Sequence, residues 1–219
     1  MGIAPRAKTL RLLPPMLLAL AASAKADTLP VALFSAGDLS GWESHSFRDE
    51  TRYDIVQLDG TKVLRAESNA SASGLVKKLR VNLRHTPFLN WRWKVDGVLD
   101  GVDEQAKIGD DFAARIYLIV SGGLLFWRTF AMNYVWSNQQ SVSSAWPNPF
   151  TDNAMMIAVR SGADQAGRWV SEKRDVRQDF RRVFGREVET IDAVALMTDT
   201  DNSGGHARAY YGDIFFSSD

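Results

Sequence analysis

Hydrophobic residues recur along this chain in short runs, each closed by glycine, asparagine, aspartate, serine or proline. Val31–Phe34 leads into Gly37-Asp38 and Ser40-Gly41. Tyr53–Leu58 and Lys62–Glu67 flank Asp59-Gly60, a pair that supplies the positive φ required at both central positions of a type I′ hairpin turn. Leu75–Leu83, Phe88–Val95, Phe112–Val120, Leu124–Trp136, Ala154–Arg160, Arg168–Arg174, Ile191–Thr198 and Ala207–Phe216 bring the predicted strands to about eleven, with Gly122-Gly123 as a second hairpin turn. Many short strands separated by turn signals predict an all-β fold, a two-sheet antiparallel β-sandwich of jelly-roll or concanavalin/galactose-binding-like type. One short helix interrupts the pattern. Val176, Phe180, Val183 and Phe184 form an apolar stripe at helical spacing. Asp175 and Gln178 read as a capping box, and Gly185 as the stop. Leu99–Gly109 and Ser137–Asn153 read as loops. No repeat and no linker divides the chain, so residues 27–219 are expected to form one domain.

The N-terminus follows a different pattern. Arg6, Lys8 and Arg11 precede the apolar run Leu12–Ala22, and Ala24-Lys25-Ala26 then gives an A-x-A exit before Asp27. These are the three parts of a secretory signal peptide, predicted over residues 1–26. The apolar run is shorter than the ~20 residues a membrane span needs, and Pro14 and Pro15 disfavour an anchor helix. A periplasmic or secreted location follows, with no transmembrane segment once the signal is removed.

Charge and cysteine content narrow the partners. Four of the 26 basic residues lie in 1–26, leaving 22 against 26 acidic ones. A mildly acidic mature chain argues against nucleic acid, whose binding is dominated by positive charge meeting phosphate. The chain has no cysteine, which excludes disulfides, thiol catalysis and thiolate metal sites.

Candidate chemistry concentrates in Asp199-Thr200-Asp201-Asn202-Ser203-Gly204-Gly205, a turn crowded with oxygen atoms between two apolar runs. Asp199, Asp201, Ser203 and Gly204 match the start of an EF-hand loop, but Tyr210 stands where the closing Glu belongs and the flanks read as strands, so an EF-hand is rejected. Two readings stay open. The turn holds Ca²⁺ or ligand hydroxyls, or it is a hairpin whose Asp and Asn side chains bond their own backbone.

A second cluster is Asp110-Asp111 leading into Phe112–Tyr117. Strand alternation places Phe112, Ala114, Ile116 and Leu118 on the core face, and Asp111, Ala113, Arg115 and Tyr117 on the other. That second face is either a polar ligand surface or a solvated one with a diagonal ion pair. By the same alternation Asp110 points away from Asp111, and the two make a poor catalytic pair. Trp91 and Trp93, flanked by Leu89 and Val95, read as core. Asn133 and Trp136, at a strand end, suit an amide and a ring against a sugar, or a ring that closes the core edge. His45, His85 and His206 lack metal-ligand spacing. No G-x-S-x-G, G-x-G-x-x-G or Walker loop is present.

The ordered set W-x-W (Trp91, Trp93), D-D-F-A-A-R (Asp110–Arg115), N-Y-V-W-S (Asn133–Ser137), V-R-S-G (Val159–Gly162), M-T-D-T-D-N-S-G-G (Met197–Gly205) and A-Y-Y-G-D-I-x-F (Ala209–Phe216) resembles an uncharacterised family of exported bacterial proteins, domain of unknown function 3047. That resemblance covers nearly all the mature chain and implies no activity. The end segments, Phe34–Trp42 and Tyr211–Phe215, resemble those of jelly-roll carbohydrate-binding modules, where an acid near each end helps hold a structural calcium. Asp38 and Asp213 are the matching positions.

These readings converge on an exported, non-catalytic domain that binds a carbohydrate or other polar ligand through Asp111, Arg115, Asn133, Trp136, Asp199, Asp201 and Asn202. Calcium is the expected ion, at Asp38, Asp199, Asp201 and Asp213. Two alternatives stand beside it. A glycoside hydrolase or lyase would need two carboxyls flanking the scissile bond, and no E-x-D-x-x-E run supplies them. An envelope structural protein would use its aromatic rim against another protein.

Overall fold

The computed structural model describes residues 1–2, 26–124 and 128–219; most of the predicted signal segment, and residues 125–127 of the predicted strand Leu124–Trp136, lie outside the described residues. Among the described residues, thirteen strands run in chain order: β1 (Thr28–Ala32), β2 (Trp42–Arg48), β3 (Arg52–Leu58), β4 (Thr61–Asn69), β5 (Ala72–Asn82), β6 (Phe88–Val95), β7 (Arg115–Val120), β8 (Phe130–Ser137), β9 (Ala145–Asn148), β10 (Thr151–Ser161), β11 (Val170–Asp175), β12 (Thr190–Asp199) and β13 (His206–Ser217). They form two sheets. One has the order β11-β6-β13-β4-β3 with β1 added along β13, and the other the order β2-β5-β12-β7-β8-β10-β9. The expected sandwich is present. Its pairing is antiparallel but for β8 and β10, which run parallel.

Local chemistry explains the elements that were legible. Asp59 and Gly60 have φ of 50° and 77°, the left-handed pair a I′ turn demands, and they join β3 to β4 in tight register. Helix α1 (Val176–Phe184) begins where the Asp175 side chain accepts a hydrogen bond from Gln178 N at 3.0 Å, and ends at Gly185 in the left-handed region. Two strands beyond the expected eleven are β2 and β9. β2 is almost wholly exposed along its length, so it carries no apolar alternation, and β9 lies inside the predicted loop Ser137–Asn153.

The core fills the space between the sheets. Trp91 stacks on Tyr134 at 5.3 Å and Trp93 meets Trp136 at 5.8 Å, so facing strands β6 and β8 contribute paired rings. Ile116, Leu118, Leu196 and Ile214 pack in the same cluster. A smaller apolar cluster comprises Phe112, Val135, Trp146, Met156 and Ala158. Phe112 was expected in the main core. It lies elsewhere because β7 becomes regular only at Arg115, and the preceding bend turns both Ala113 and Ala114 into the main cluster.

Candidate functional site

Strand alternation and register build the site. Ile116 and Leu118 point into the core, which leaves Arg115 and Tyr117 on the outer face of the seven-stranded sheet. In register beside them stand Met197 on β12, opposite Arg115, and Asn133 on β8, opposite Tyr117. Asp199 ends β12, and the turn after it carries Asp201 and Asn202 over the same face. Phe47 from β2, Asn148 from β9 and Phe150 from the β9–β10 turn complete a cavity of about 410 Å³.

Asp110 and Asp111 reach this site through a pinned loop. Glu104, fully buried, accepts hydrogen bonds from the Ser137 hydroxyl, Asn138 N and Gln140 N. Asn138 in turn receives Leu99 N and donates to Asp111 O. A Cβ at Gly109 would lie 2.3 Å from Asp103 O, so only glycine fits the turn that delivers the two aspartates.

Arg115 is the centre of the charge arrangement. It is 4% exposed, lies 5.1 and 5.4 Å from the ring centres of Phe112 and Tyr117, donates to Asp199 Oδ2, and has its Nη1 3.6 Å from Asp110 Oδ1. Asp199 Oδ1 accepts Phe112 N. Asp111 clasps the loop: its carboxylate accepts Asn202 N and Nδ2, each at 3.2 Å, and Ser203 N at 2.6 Å. Arg48 donates to the Asp201 carbonyl. The acid-rich turn and the Asp111–Arg115 segment therefore form one structure.

Burial raises the carboxyls of Asp110, Asp199 and Asp201 above their usual range, most strongly Asp199; Arg115 pulls each back down, and neighbouring acids add to the rise. Burial also works against the charge on Arg115, but Asp199 and the other acids outweigh it and hold the guanidinium protonated. The guanidinium stays charged, because several acids surround it, and those acids retain protons to higher pH than free carboxyls.

A stability consequence follows with a definite sign. Above pH 3.8, the ordinary aspartate value, the folded chain holds protons the unfolded chain has released, so these groups lower stability as pH rises through their raised values. Asp110→Asn removes one such charge and can keep the hydrogen bond that Asn148 Nδ2 donates at 2.7 Å. It is expected to raise stability at pH 7, with the gain shrinking toward pH 4. Melting curves of both proteins across that range check it; a gain independent of pH would contradict the cause given.

The structure places the residues predicted for the site unevenly. Arg115, Asn133, Asp199, Asp201 and Asn202 line the cavity, with Asp111 bonded to the Asn202 end of it. Trp136 does not join them. It is fully buried on the inner face of β8, and its Nε1 donates to Gly162 O at 3.1 Å, because residues 133 and 136 stand an odd number of positions apart on one strand. Asp38 accepts Ser40 N within its own turn, and Asp213 accepts Ser35 N and the Ser35 hydroxyl, tying β13 to the segment after β1, so both carboxylates are engaged away from the acid-rich turn. Among the described residues, the group of acids close enough to hold one metal ion is Asp111, Asp199 and Asp201, with one oxygen from each within 4.8 Å of the others. Asp110, set aside by strand alternation, lines the cavity because its segment is not a strand. Phe47, Asn148 and Phe150 also join the lining, and none of them was read from the sequence. A second recess, about 470 Å³, lies on the six-stranded sheet among β6, β11 and β13; its Glu172 is engaged by Arg160 and Trp93.

Comparison with known proteins adds the following. The model of a family described as protein of unknown function (DUF3047) matches residues 40–215. No curated protein matches the chain. Among solved structures, a family 11 carbohydrate-binding module from a cellulosomal cellulase of Clostridium thermocellum is 10% identical, with 89% of this chain and 95% of that one covered and a TM-score of 0.48. A mutant family 29 carbohydrate-binding module is 11% identical, with 89% and 93% covered and a TM-score of 0.40. A cellulase derived from Cel12A of Rhodothermus marinus is 10% identical, with 87% and 96% covered and a TM-score of 0.45. At these identities and scores the functions of those proteins do not carry over.

Proposed function

We propose that this chain, which belongs to the DUF3047 family, is an exported binding domain that takes a hydroxyl-rich ligand, a carbohydrate, into the cavity on its seven-stranded sheet. One observation carries the reading. Asp110, Arg115 and Asn133 line that cavity, each is at least nine-tenths buried, and each has a polar atom without a hydrogen-bond partner: Asp110 Oδ1, Arg115 Nε and Asn133 Oδ1. A buried polar atom left unpaired costs about 1–3 kcal/mol, so a ligand that pairs all three gains what the free protein forgoes. Hydroxyls both donate and accept, and sugars carry several in fixed array. At the rim, Phe47 and Phe150 are 70% and 55% exposed and offer apolar surface to the C–H face of a sugar ring.

Binding of the mature chain to a glycan array tests this. The best glycan is expected to lose about tenfold in affinity, or ~1.4 kcal/mol, in Phe47→Ala and in Phe150→Ala, since both side chains are exposed and their removal leaves the fold intact. An array without a bound glycan, or a double variant that binds as the parent does, would overturn the proposal. A hydrolase reading draws on one observation, the raised Asp110 carboxyl sharing a cavity with Asp201, as proton donors do. Release of reducing sugar from the bound glycan, lost in Asp110→Asn, would favour it.

Calcium suits the group of Asp111, Asp199 and Asp201 by ligand type, but Arg115 and the loop amides already occupy most of the Asp111 and Asp199 oxygens. Saturating Ca²⁺ is expected to raise the melting temperature by less than about 2 °C relative to EDTA, under one kcal/mol in a domain of this length. A larger rise would assign the ion a structural role there.

A further inference from the structure

The cavity lining is unbalanced in charge. Three of its side chains are acids, Asp110, Asp199 and Asp201, and Arg115 is its one cation. Two further cations lie close by. Arg48 is engaged by the carbonyl of Asp201, and Lys107 lies 5.4 Å from the centre of the Phe150 ring at the rim. With Asp111, bonded to the Asn202 end of the cavity, four acids stand against these three cations, and an anionic ligand would be brought against that acid-rich lining in a desolvated space, where like charges repel most. The two unpartnered acceptors, Asp110 Oδ1 and Asn133 Oδ1, call for donors, and the unpartnered Arg115 Nε calls for an acceptor. Asp110 Oδ1 and the Arg115 guanidinium are neighbours, 3.6 Å apart at Nη1. A ligand that meets both carries its donor and its acceptor close together, on one hydroxyl or on adjacent atoms such as a vicinal amine and hydroxyl.

Resting on the carbohydrate-binding reading above, we infer that the ligand is an amino sugar, whose ammonium group sits between Asp110 Oδ1 and Asn133 Oδ1 while the vicinal hydroxyl accepts from Arg115 Nε. An ammonium has three donors and no acceptor, so it serves both acceptors at once. Its charge also favours the ionised form of Asp110, which burial alone disfavours, and a hydrogen bond between ionised partners is about twice as strong as a neutral one. A neutral sugar satisfies the same atoms without compensating the charge.

Four β-1,4- or α-1,4-linked oligosaccharides of equal length test this by calorimetric titration of the mature chain in EDTA at about pH 6: oligomers of glucosamine, of N-acetylglucosamine, of glucose and of galacturonate. The glucosamine oligomer is expected to bind at least tenfold more tightly than the glucose oligomer, with the galacturonate oligomer weakest. Loss of the preference on N-acetylation, which removes the charge and keeps the ring, is expected as well. Equal affinity for the glucosamine and glucose oligomers would overturn the amino-sugar assignment and leave the carbohydrate reading standing. Binding of none of the four would count against both. In Asp110→Asn, whose folding is checked by its melting curve, the ratio of glucosamine to glucose affinity is expected to fall toward one; an unchanged ratio would remove Asp110 from the ammonium site. The charge series on the parent chain decides the matter even where that variant does not fold.

Discussion

Replacing Arg115 with methionine is expected to destabilise the fold by about 3–5 kcal/mol, a fall of roughly 6–20 °C in melting temperature for a domain of this length. The side chain is 4% exposed, and it is the counter-charge for Asp199 and Asp110. Removing one member of a buried ion pair leaves the others charged, desolvated and facing one another, which costs far more than the pair contributed. Asp199 then keeps only Phe112 N, at 3.4 Å, and the turn that bears Asp201 loses its anchor to β7. Methionine fills a similar volume, so the loss reports charge and hydrogen bonding rather than a cavity. Arg115→Lys is expected to fall between the two, since lysine keeps the charge and lacks the planar fork that bonds two groups at once. Chemical denaturation of the three proteins at pH 7 measures this. A methionine variant within about 1 kcal/mol of the parent would mean that the acids simply take up protons and that Arg115 is not their organiser.

The second large effect separates core from site. Trp136→Ala is expected to cost about 3–5 kcal/mol, the range for removing a large buried aromatic. Its ring packs on Trp93, its Nε1–H bonds Gly162 O, and none of it reaches the cavity lining. The affinity of the remaining folded protein for a cavity ligand is expected to stay within about twofold of the parent. A ring that stacked on a sugar would give the opposite pattern, with stability nearly intact and affinity lost. Melting curves and titrations on the same preparation distinguish the two, and a loss of affinity with unchanged stability would return Trp136 to the ligand site.

Trp136 also shows where the sequence was legible and where it was not. Its position at a strand end beside Asn133 was correctly read, since β8 closes at Ser137. Its face was not, because a sequence without a register does not say which side of a strand meets the second sheet. Asp110 and Phe112 were misassigned for a related reason. Alternation was carried back through residues 110–114, but the chain bends there and enters β7 only at Arg115. Phe47 and Phe150 gave almost no signal, as each is an aromatic residue in a polar stretch, and their relevance comes from two distant segments closing over one sheet face.

What the sequence determined by itself is what local chemistry controls. The Asp59-Gly60 turn, the Asp175 cap and Gly185 stop of α1, and the period-two run of β6 follow from backbone sterics, capping hydrogen bonds and side-chain alternation, each acting within a few residues. The content of the candidate site was decided by tertiary structure. Asp111 and Asn202 are 91 residues apart in the chain, and Arg115 and Asp199 are 84 apart, and only the pairing of β12 with β7 brings them together. Burial of Arg115, the rise of the surrounding carboxyls and the unpartnered atoms of Asp110 and Asn133 all arise from that convergence. They depend on which groups share a desolvated space, and no single segment of the chain encodes it.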